Sequence, residues 1–400
     1  MKTLTVKLPQ LHTTQAQIKC EARRFNVLCC GRRFGKDILG HDLLIATALS
    51  GKPTAWFAPT YRMMLDTYRE LEKLLQPVIT RANASDFRLE LITRGVVDMW
   101  SLDSANTARG KAYARIIVNE AAIVANLQSA WNEVIRPTLA DFGGDAFFLS
   151  TPRGINFFKT LYLLGKDGGE YAAWHFPTGA NPFIAASEIE AMHTTMTERA
   201  YRQEVLAEFL EGEGAVFRKV REACVIERPD TPGQHQNHSF ALGVDWGKQN
   251  DFTRLRVICR QCKRVVDWDG FNQIDFHFQR DRLKVLADRW RVDTILAESN
   301  SIGEPNIEEL RRDGLNVTGF ETTATSKPPL IESLALALER GEIKLPQEDA
   351  DELEAYEMKT NANTGRPTYS APEGAHDDRV IADALALKAI TSGLQILFEA

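Results

Sequence analysis

Short apolar runs alternate with amphipathic stretches along the first half of the chain. Phe25–Cys30 is a run that predicts a buried strand. Lys36–Leu49 carries Ile38, Leu39, Leu43 and Leu44 at helical spacing. Thr54–Ala58, Ala114–Val118 and Ala146–Leu149 are further short apolar runs with strand character. Strands separated by helices imply a mostly parallel sheet covered on both faces. Arg199–Leu210 is expected to be the last helix of this region, and the polar stretch Glu211-Gly212-Glu213-Gly214 suits a break.

A different order follows. Phe240–Val244 predicts a strand, and Leu255–Cys259 with Arg264–Trp268 a hairpin. Asp281–Trp290, Asn306–Arg312, Pro329–Arg340 and Asp377–Ile390 have helical patterns, with strands expected at Thr294–Ala297 and Val317–Glu321. A three-strand meander followed by alternating helices and strands is the order of a ribonuclease-H-like fold. The expected fold class is therefore α/β, with two domains: 1–210, a linker at 211–238, and 239–400.

Composition changes this picture little. The 400 residues are 44% hydrophobic and 26% charged, which leaves little room for extensive disorder. The net charge of −6 argues weakly against a nucleic-acid partner, but it is unevenly spread. Residues 1–210 hold 24 Lys and Arg against 21 Asp and Glu; the remainder holds 24 against 33. An acidic half is compatible with a nuclease, because a metal site needs clustered carboxylates. No run reaches the roughly 18 apolar residues of a membrane span, and the start lacks an apolar signal segment. A cytosolic chain without a membrane role is expected. Cys259 and Cys262 form a lone CxxC at the hairpin turn; a zinc site would need a second ligand pair, and a reduced hairpin is the expectation.

Two groups of residues carry chemistry. The first is Cys30-Gly31-Arg32-Arg33-Phe34-Gly35-Lys36, between a predicted strand and a predicted helix. Glycines let backbone N–H groups close around phosphates, Lys36 can reach the β/γ oxygens, and the helix start adds partial positive charge. The strict pattern would have glycine at Cys30 and Ser/Thr at Asp37. Further on, Ile116-Ile117-Val118-Asn119-Glu120 is an apolar run ending where a P-loop ATPase places its metal-holding carboxylate and its base. Here Asn119 stands for the carboxylate and Glu120 for the base. Asp37 and Asn119 thus read either as a compensated exchange, one charge and one neutral oxygen retained, or as an inactive ATP site.

The second group is acidic. Asp245 and Glu298 end predicted strands, Asp251 follows the first across a short turn, and Asp377 and Asp378 begin a helix. Carboxylates gathered from strand ends and a helix start are the ligand set of two-metal phosphodiester cleavage. Between Asp377 and Asp378 the pattern does not choose a principal ligand. Asp383, further along the helix, reads as structural, and Lys327 as a loop lysine or a phosphate contact.

Gly31-Arg32-Arg33-Phe34-Gly35-Lys36 resembles the P-loop of phage terminase large subunits, the DNA-packaging ATPase/nuclease family. Leu11-His12-Thr13-Thr14-Gln15 resembles its adenine-reading segment, with Gln15 in the glutamine position. Ala58-Pro59-Thr60-Tyr61 resembles the segment after the second strand. Ser150-Thr151-Pro152-Arg153-Gly154 resembles the motif that couples hydrolysis to movement. Arg109-Gly110 resembles the pair from which an arginine finger comes, and Tyr201-Arg202-Gln203-Glu204 with Phe209 and Phe217 the junction between domains. The resemblance implies ATP and Mg²⁺ as cofactors, with Mn²⁺ possible at the nuclease site. It implies Gln15, Gly31, Arg32, Arg33, Gly35, Lys36, Asp37 and Asn119 around the nucleotide, with Glu120 and Arg109 catalytic. It also implies double-stranded DNA, a small terminase subunit and the procapsid portal as partners. A pentameric ring docked on the portal, formed in the host cytoplasm, belongs to the same expectation. The alternative reading is a DNA-processing nuclease or an assembly factor with a silent ATP site.

Overall fold

The computed structural model describes residues 4–210, 214–247, 252–300, 303–360, 367–372 and 375–391. The chain divides near residue 212 into two compact units.

The first unit is built on an eight-stranded sheet. Its strands are β1 (Phe25–Cys30), β2 (Pro53–Ala58), β3 (Ile79–Asn83), β4 (Arg88–Leu91), β5 (Val96–Ser101), β6 (Arg115–Asn119), β7 (Asp145–Ser150) and β8 (Tyr171–Phe176). They lie in the order β3-β4-β5-β2-β6-β7-β1-β8. From β5 to β8 every pairing is parallel, and β3–β4 and β4–β5 are antiparallel. Helices α1 (Thr13–Glu21), α2 (Lys36–Leu49), α3 (Tyr61–Leu75) and α4 (Phe157–Asp167) complete the frame. Successive strand residues point to opposite faces, so Leu28 and Cys30 join one core with Leu39, Leu43 and Trp56, while Val27 and Cys29 join another with Phe57, Phe148 and Trp131. A sheet covered on both sides needs unbroken apolar runs, which is why β1 reads so clearly in the sequence.

The expected helix at 199–210 takes another form. Glu198–Ala200 is one helical turn, Tyr201–Val205 a π-type turn, and Ala207 has φ 60°. Tertiary demands explain the departure: the carbonyl of Glu204 accepts from Arg32 N–H at 2.8 Å, and that of Ala207 from the Cys29 thiol at 3.3 Å.

The second unit holds a five-stranded sheet: β9 (Phe240–Asp245), β10 (Thr253–Cys259), β11 (Val265–Phe271), β12 (Thr294–Glu298) and β13 (Val317–Phe320), in the order β11-β10-β9-β12-β13. The first three form the antiparallel meander, and β12 and β13 add parallel to β9. Helices α5 (Phe276–Trp290), α6 (Gly303–Arg312), α7 (Lys327–Glu339) and α8 (Asp378–Thr391) follow. Helix α8 lies against β9 so closely that a Cβ on Gly243 would fall 2.3 Å from Ala386 N. Within the stretch expected as linker, Phe217, Val220, Cys224 and Ile226 are buried in this unit's core.

Candidate functional site

The phosphate loop starts where β1 ends. Its conformation is held from several sides: Gly31 N–H donates to Phe176 O at 2.9 Å, Thr178 Oγ1 to Arg32 O at 2.7 Å, and Asn181 Nδ2 to Arg33 O at 2.7 Å. A Cβ on Gly31 would sit 2.5 Å from Val205 O, so only glycine fits. Gly35 closes the loop at φ 95°, a left-handed conformation, and α2 begins at the next residue. The first N–H groups of α2 have no partner within the helix and face the position a phosphate would take.

Lys36 is 7% exposed, and its ammonium donates to Thr151 Oγ1 at 2.9 Å and lies 3.5 Å from Glu120 Oε1. Glu120 follows β6 in a left-handed conformation (φ 46°), which turns its side chain back toward α2. Ser150 Oγ lies 3.2 Å from the other Glu120 oxygen, so the P-loop lysine, the base position and Ser150-Thr151 at the end of β7 meet at one point. Asn119, buried, accepts from Glu120 N–H at 3.0 Å and lies beside the Asp37 side chain. Burial on its inner side pushes the Asp37 carboxyl up to about 6, aided by the charge of Glu120; Lys36 and the Asn119 amide oppose the shift. The outer edge of Asp37 stays open to solvent.

Gln15 is 1% exposed, donates to Gly35 O at 2.8 Å and accepts from His12 N–H at 3.0 Å. It therefore braces the loop directly, with one amide hydrogen left over. Arg32 pairs with Glu204. Arg33 is exposed in a left-handed conformation (φ 63°), and Arg109 is exposed beside Glu133 at 3.5 Å. The structure thus gathers Lys36, Asp37, Asn119 and Glu120, and leaves Arg33 and Arg109 at the surface.

In the second unit, β9 and β12 run parallel with Val244 opposite Ala297, which sets Asp245 and Glu298 side by side at the strand ends. The two carboxyls lie close enough to act on each other. Burial first, then Glu298, Asp378 and Asp377, hold the Asp245 carboxyl well above the usual carboxylate range. Asp378 opens α8 and accepts Phe252 N–H at 2.9 Å. Asp377 faces Lys327 Nζ at 2.9 Å and the Tyr356 hydroxyl at 3.5 Å. Asp251 lies outside the described residues. Acids crowded together, with Asp245 and Asp378 buried, fit a divalent cation: the ion would let them ionise side by side.

Lys327 and Tyr356 belong to this group; the sequence left Lys327 between a loop lysine and a phosphate contact, and it did not single out Tyr356 or the pairing with Asp377. Lys327 opens α7 just before two prolines, a signal for a helix start and not for an acidic partner. Asp383, one and a half turns into α8, instead pairs with fully buried Arg256 at 3.0 Å, beside Asp349 at 2.6 Å.

Comparison with known proteins agrees with both units. A family model described as the terminase RNaseH-like domain matches residues 242–389. The terminase large subunit of Thermus virus P23-45 is 29% identical over 314 residues, covering 72% of this chain and 63% of that protein. That of Escherichia phage T5 is 27% identical over 316 residues, covering 74% and 70%. Among solved structures, the large terminase of a thermophilic bacteriophage in complex with ADP superposes with a TM-score of 0.53 at 16% identity, covering 94% of this chain and 95% of that one. The alignment to the Thermus relative spans less than two thirds of that protein. With a P-loop-type sheet and a ribonuclease-H-like sheet in one chain, these matches make it similar to terminase large subunits over most of its length.

Proposed function

We propose that the chain hydrolyses ATP in its first unit to drive double-stranded viral DNA into a procapsid, and cuts that DNA at the acids of its second. The observation that carries the reading is the meeting of Lys36, Thr151 and Glu120 at the start of α2. Bound Mg²⁺ (or Mn²⁺ at the acids), held by Asp37 and Asn119 and by Asp245, Glu298, Asp377 and Asp378, with Asp251 in the same set, would neutralise phosphate charge and activate water.

The side chains do the rest. Lys36 exchanges Thr151 and Glu120 for β/γ phosphate oxygens, which frees Glu120 to orient and deprotonate the attacking water. Thr151 registers the change directly, because it loses the ammonium it had accepted. Ser150, on Glu120, registers it too, so the end of β7 can pass nucleotide state to the sheet. Gln15 carries the same information to α1 through Gly35, and its spare amide hydrogen is the contact left for adenine. Arg109, exposed, is available to a neighbouring copy as an arginine finger in a pentameric ring. Arg32 and Arg33 add positive charge at the loop. In the second unit Lys327 brings a cation to the edge of the acids, suited to a DNA phosphate. A small terminase subunit, the portal and a site of action in the host cytoplasm complete the proposal.

The test is DNA-stimulated ATP hydrolysis by the full chain. Activity in the parent that disappears in Lys36→Ala supports the motor. No hydrolysis with DNA and portal present, while plasmid is still cut, would remove the motor reading and leave the nuclease.

A further inference from the structure

Two pairs of metal-binding side chains, each spaced i,i+3, meet in the second unit and share no residue with either site described above. His235-Gln236-Asn237-His238 lies in the loop before β9, and Cys259-Arg260-Gln261-Cys262 spans the turn between β10 and β11. Among the described residues, one ligand atom from each of these four side chains lies within 4.8 Å of all the others. His238 Nδ1 is 3.1 Å from Cys259 Sγ, and His235 Nδ1 is 3.9 Å from Cys262 Sγ. All the cysteines are free thiols. Around tetrahedral zinc, with Zn–S about 2.3 Å and Zn–N about 2.0–2.1 Å, ligand atoms stand roughly 3.3–3.8 Å apart. The four atoms would need only small shifts to reach that shell, His238 and Cys259 parting slightly and the wider pairs closing. We propose that His235, His238, Cys259 and Cys262 hold one structural zinc ion.

The surroundings are those of a built site. His235 turns its second nitrogen, Nε2, to Asp230 Oδ2 at 3.1 Å, and Asp230 is fixed in turn by Arg264 Nε at 2.7 Å. A carboxylate on the far nitrogen selects the tautomer whose Nδ1 lone pair points at the metal. The thiols are presented by a tight reversal: Cys259 N–H donates to Arg264 O at 2.9 Å, and Lys263 adopts φ 49°. The loop is registered on the hairpin by Asp230 N–H to Val266 O at 2.7 Å, Arg260 N–H to Ser239 O at 3.0 Å and Ser239 N–H to Gln261 Oε1 at 3.0 Å. Two thiolates balance the charge of a divalent ion, so the site can be partly buried without an uncompensated charge.

The site is distinct from the acidic one. His238 precedes the first residue of β9 and Asp245 is its last, so six strand residues, roughly 20 Å, separate the two. The CxxC read alone predicts a reduced hairpin, because no second pair stands near it in the sequence. The fold supplies that pair from the loop. Bound there, zinc would fasten the segment that leads into β9 to the β10–β11 hairpin, and so steady the strand that carries Asp245.

The full chain, purified without chelator and dialysed against a weak one, should retain one zinc per chain by elemental analysis. Reduced, metal-free chain given Co²⁺ should develop the thiolate-to-cobalt charge transfer and the intense visible bands of a tetrahedral ion. Cys262→Ser and His235→Ala should lose the metal, Asp230→Ala should bind it about 10–100-fold more weakly, and Asp245→Asn should keep it. The cobalt spectrum of the parent decides the matter even if a variant fails to fold. A parent with no zinc and no thiolate–cobalt band, a Cys259–Cys262 disulfide in its place, or zinc that survives Cys262→Ser and leaves with Asp245→Asn, would overturn the proposal.

Discussion

The pairing of Asp37 with Asn119 can be tested by exchanging the two charges. In Asn119→Asp the amide beside Asp37 becomes a second carboxylate, at a position only 5% exposed and next to Glu120. Three acids would then face the single ammonium of Lys36. Two like charges about 4 Å apart repel by roughly 4 kcal/mol at an effective dielectric constant of 20, an upper bound that Lys36 and bound cations reduce. A net loss of about 1.5–3 kcal/mol is expected, or roughly 10–150-fold in ATP hydrolysis at fixed Mg²⁺. Asp37→Ser removes the charge instead and should lose a comparable amount. The double variant Asp37→Ser/Asn119→Asp restores one charge and one neutral oxygen, and should recover most of the activity, with a coupling of about 1–3 kcal/mol. The assay is a Mg²⁺ titration of ATP hydrolysis for all four proteins. Additive losses in the double variant, or a gain of activity in Asn119→Asp alone, would refute the compensation and mark the site as decayed.

Other consequences concern stability and the acidic site. Arg256→Met leaves Asp383 buried without its cation and Asp349 with Arg379 alone at 3.4 Å, and should cost about 3–5 kcal/mol in urea denaturation, whereas replacing all three by apolar residues should cost little; a loss under about 1 kcal/mol for Arg256→Met would contradict this. Gly243→Ala pushes a methyl group to 2.6 Å from Ala382 O and 2.3 Å from Ala386 N, so α8 and Asp378 must shift and DNA cleavage should fall while ATP hydrolysis persists; unchanged cleavage would show that α8 yields without moving Asp378. Burial of His41 lowers its pKa from 6.5 to about 4, so the unfolded chain takes up a proton that the folded one refuses in that window. Its contribution is complete above pH 6.5 and is lost as pH falls toward about 4, by up to roughly 1.4 kcal/mol per unit. His41→Gln should flatten that part of the stability–pH curve, and an identical slope in the variant would exclude His41 as the source.

What could be read in the sequence follows from where each signal resides. β1, α2, β9 and α8 carry their own evidence, because a strand or helix buried against a sheet writes its environment into consecutive residues. Asp245 and Glu298 were legible for the same reason: each ends an apolar strand. The antiparallel edge β3–β5 was not, since its polar outer strand, with exposed Thr80, Arg81 and Ala82, lacks a buried run. The segment 199–210 has helical spacing, yet its carbonyls are committed to Arg32, Cys29 and His175. Lys327 and the His235–His238 pair depend on contacts between segments far apart in the chain, which no local pattern records.

The proposed function requires two separable active sites in this one chain, and the most direct test measures both activities on the same purified proteins. Lys36→Ala should abolish DNA-stimulated ATP hydrolysis and leave Mn²⁺-dependent plasmid cutting intact, while Asp245→Asn should abolish cutting and leave hydrolysis. Hydrolysis that survives Lys36→Ala, or cutting that survives Asp245→Asn, would contradict the account.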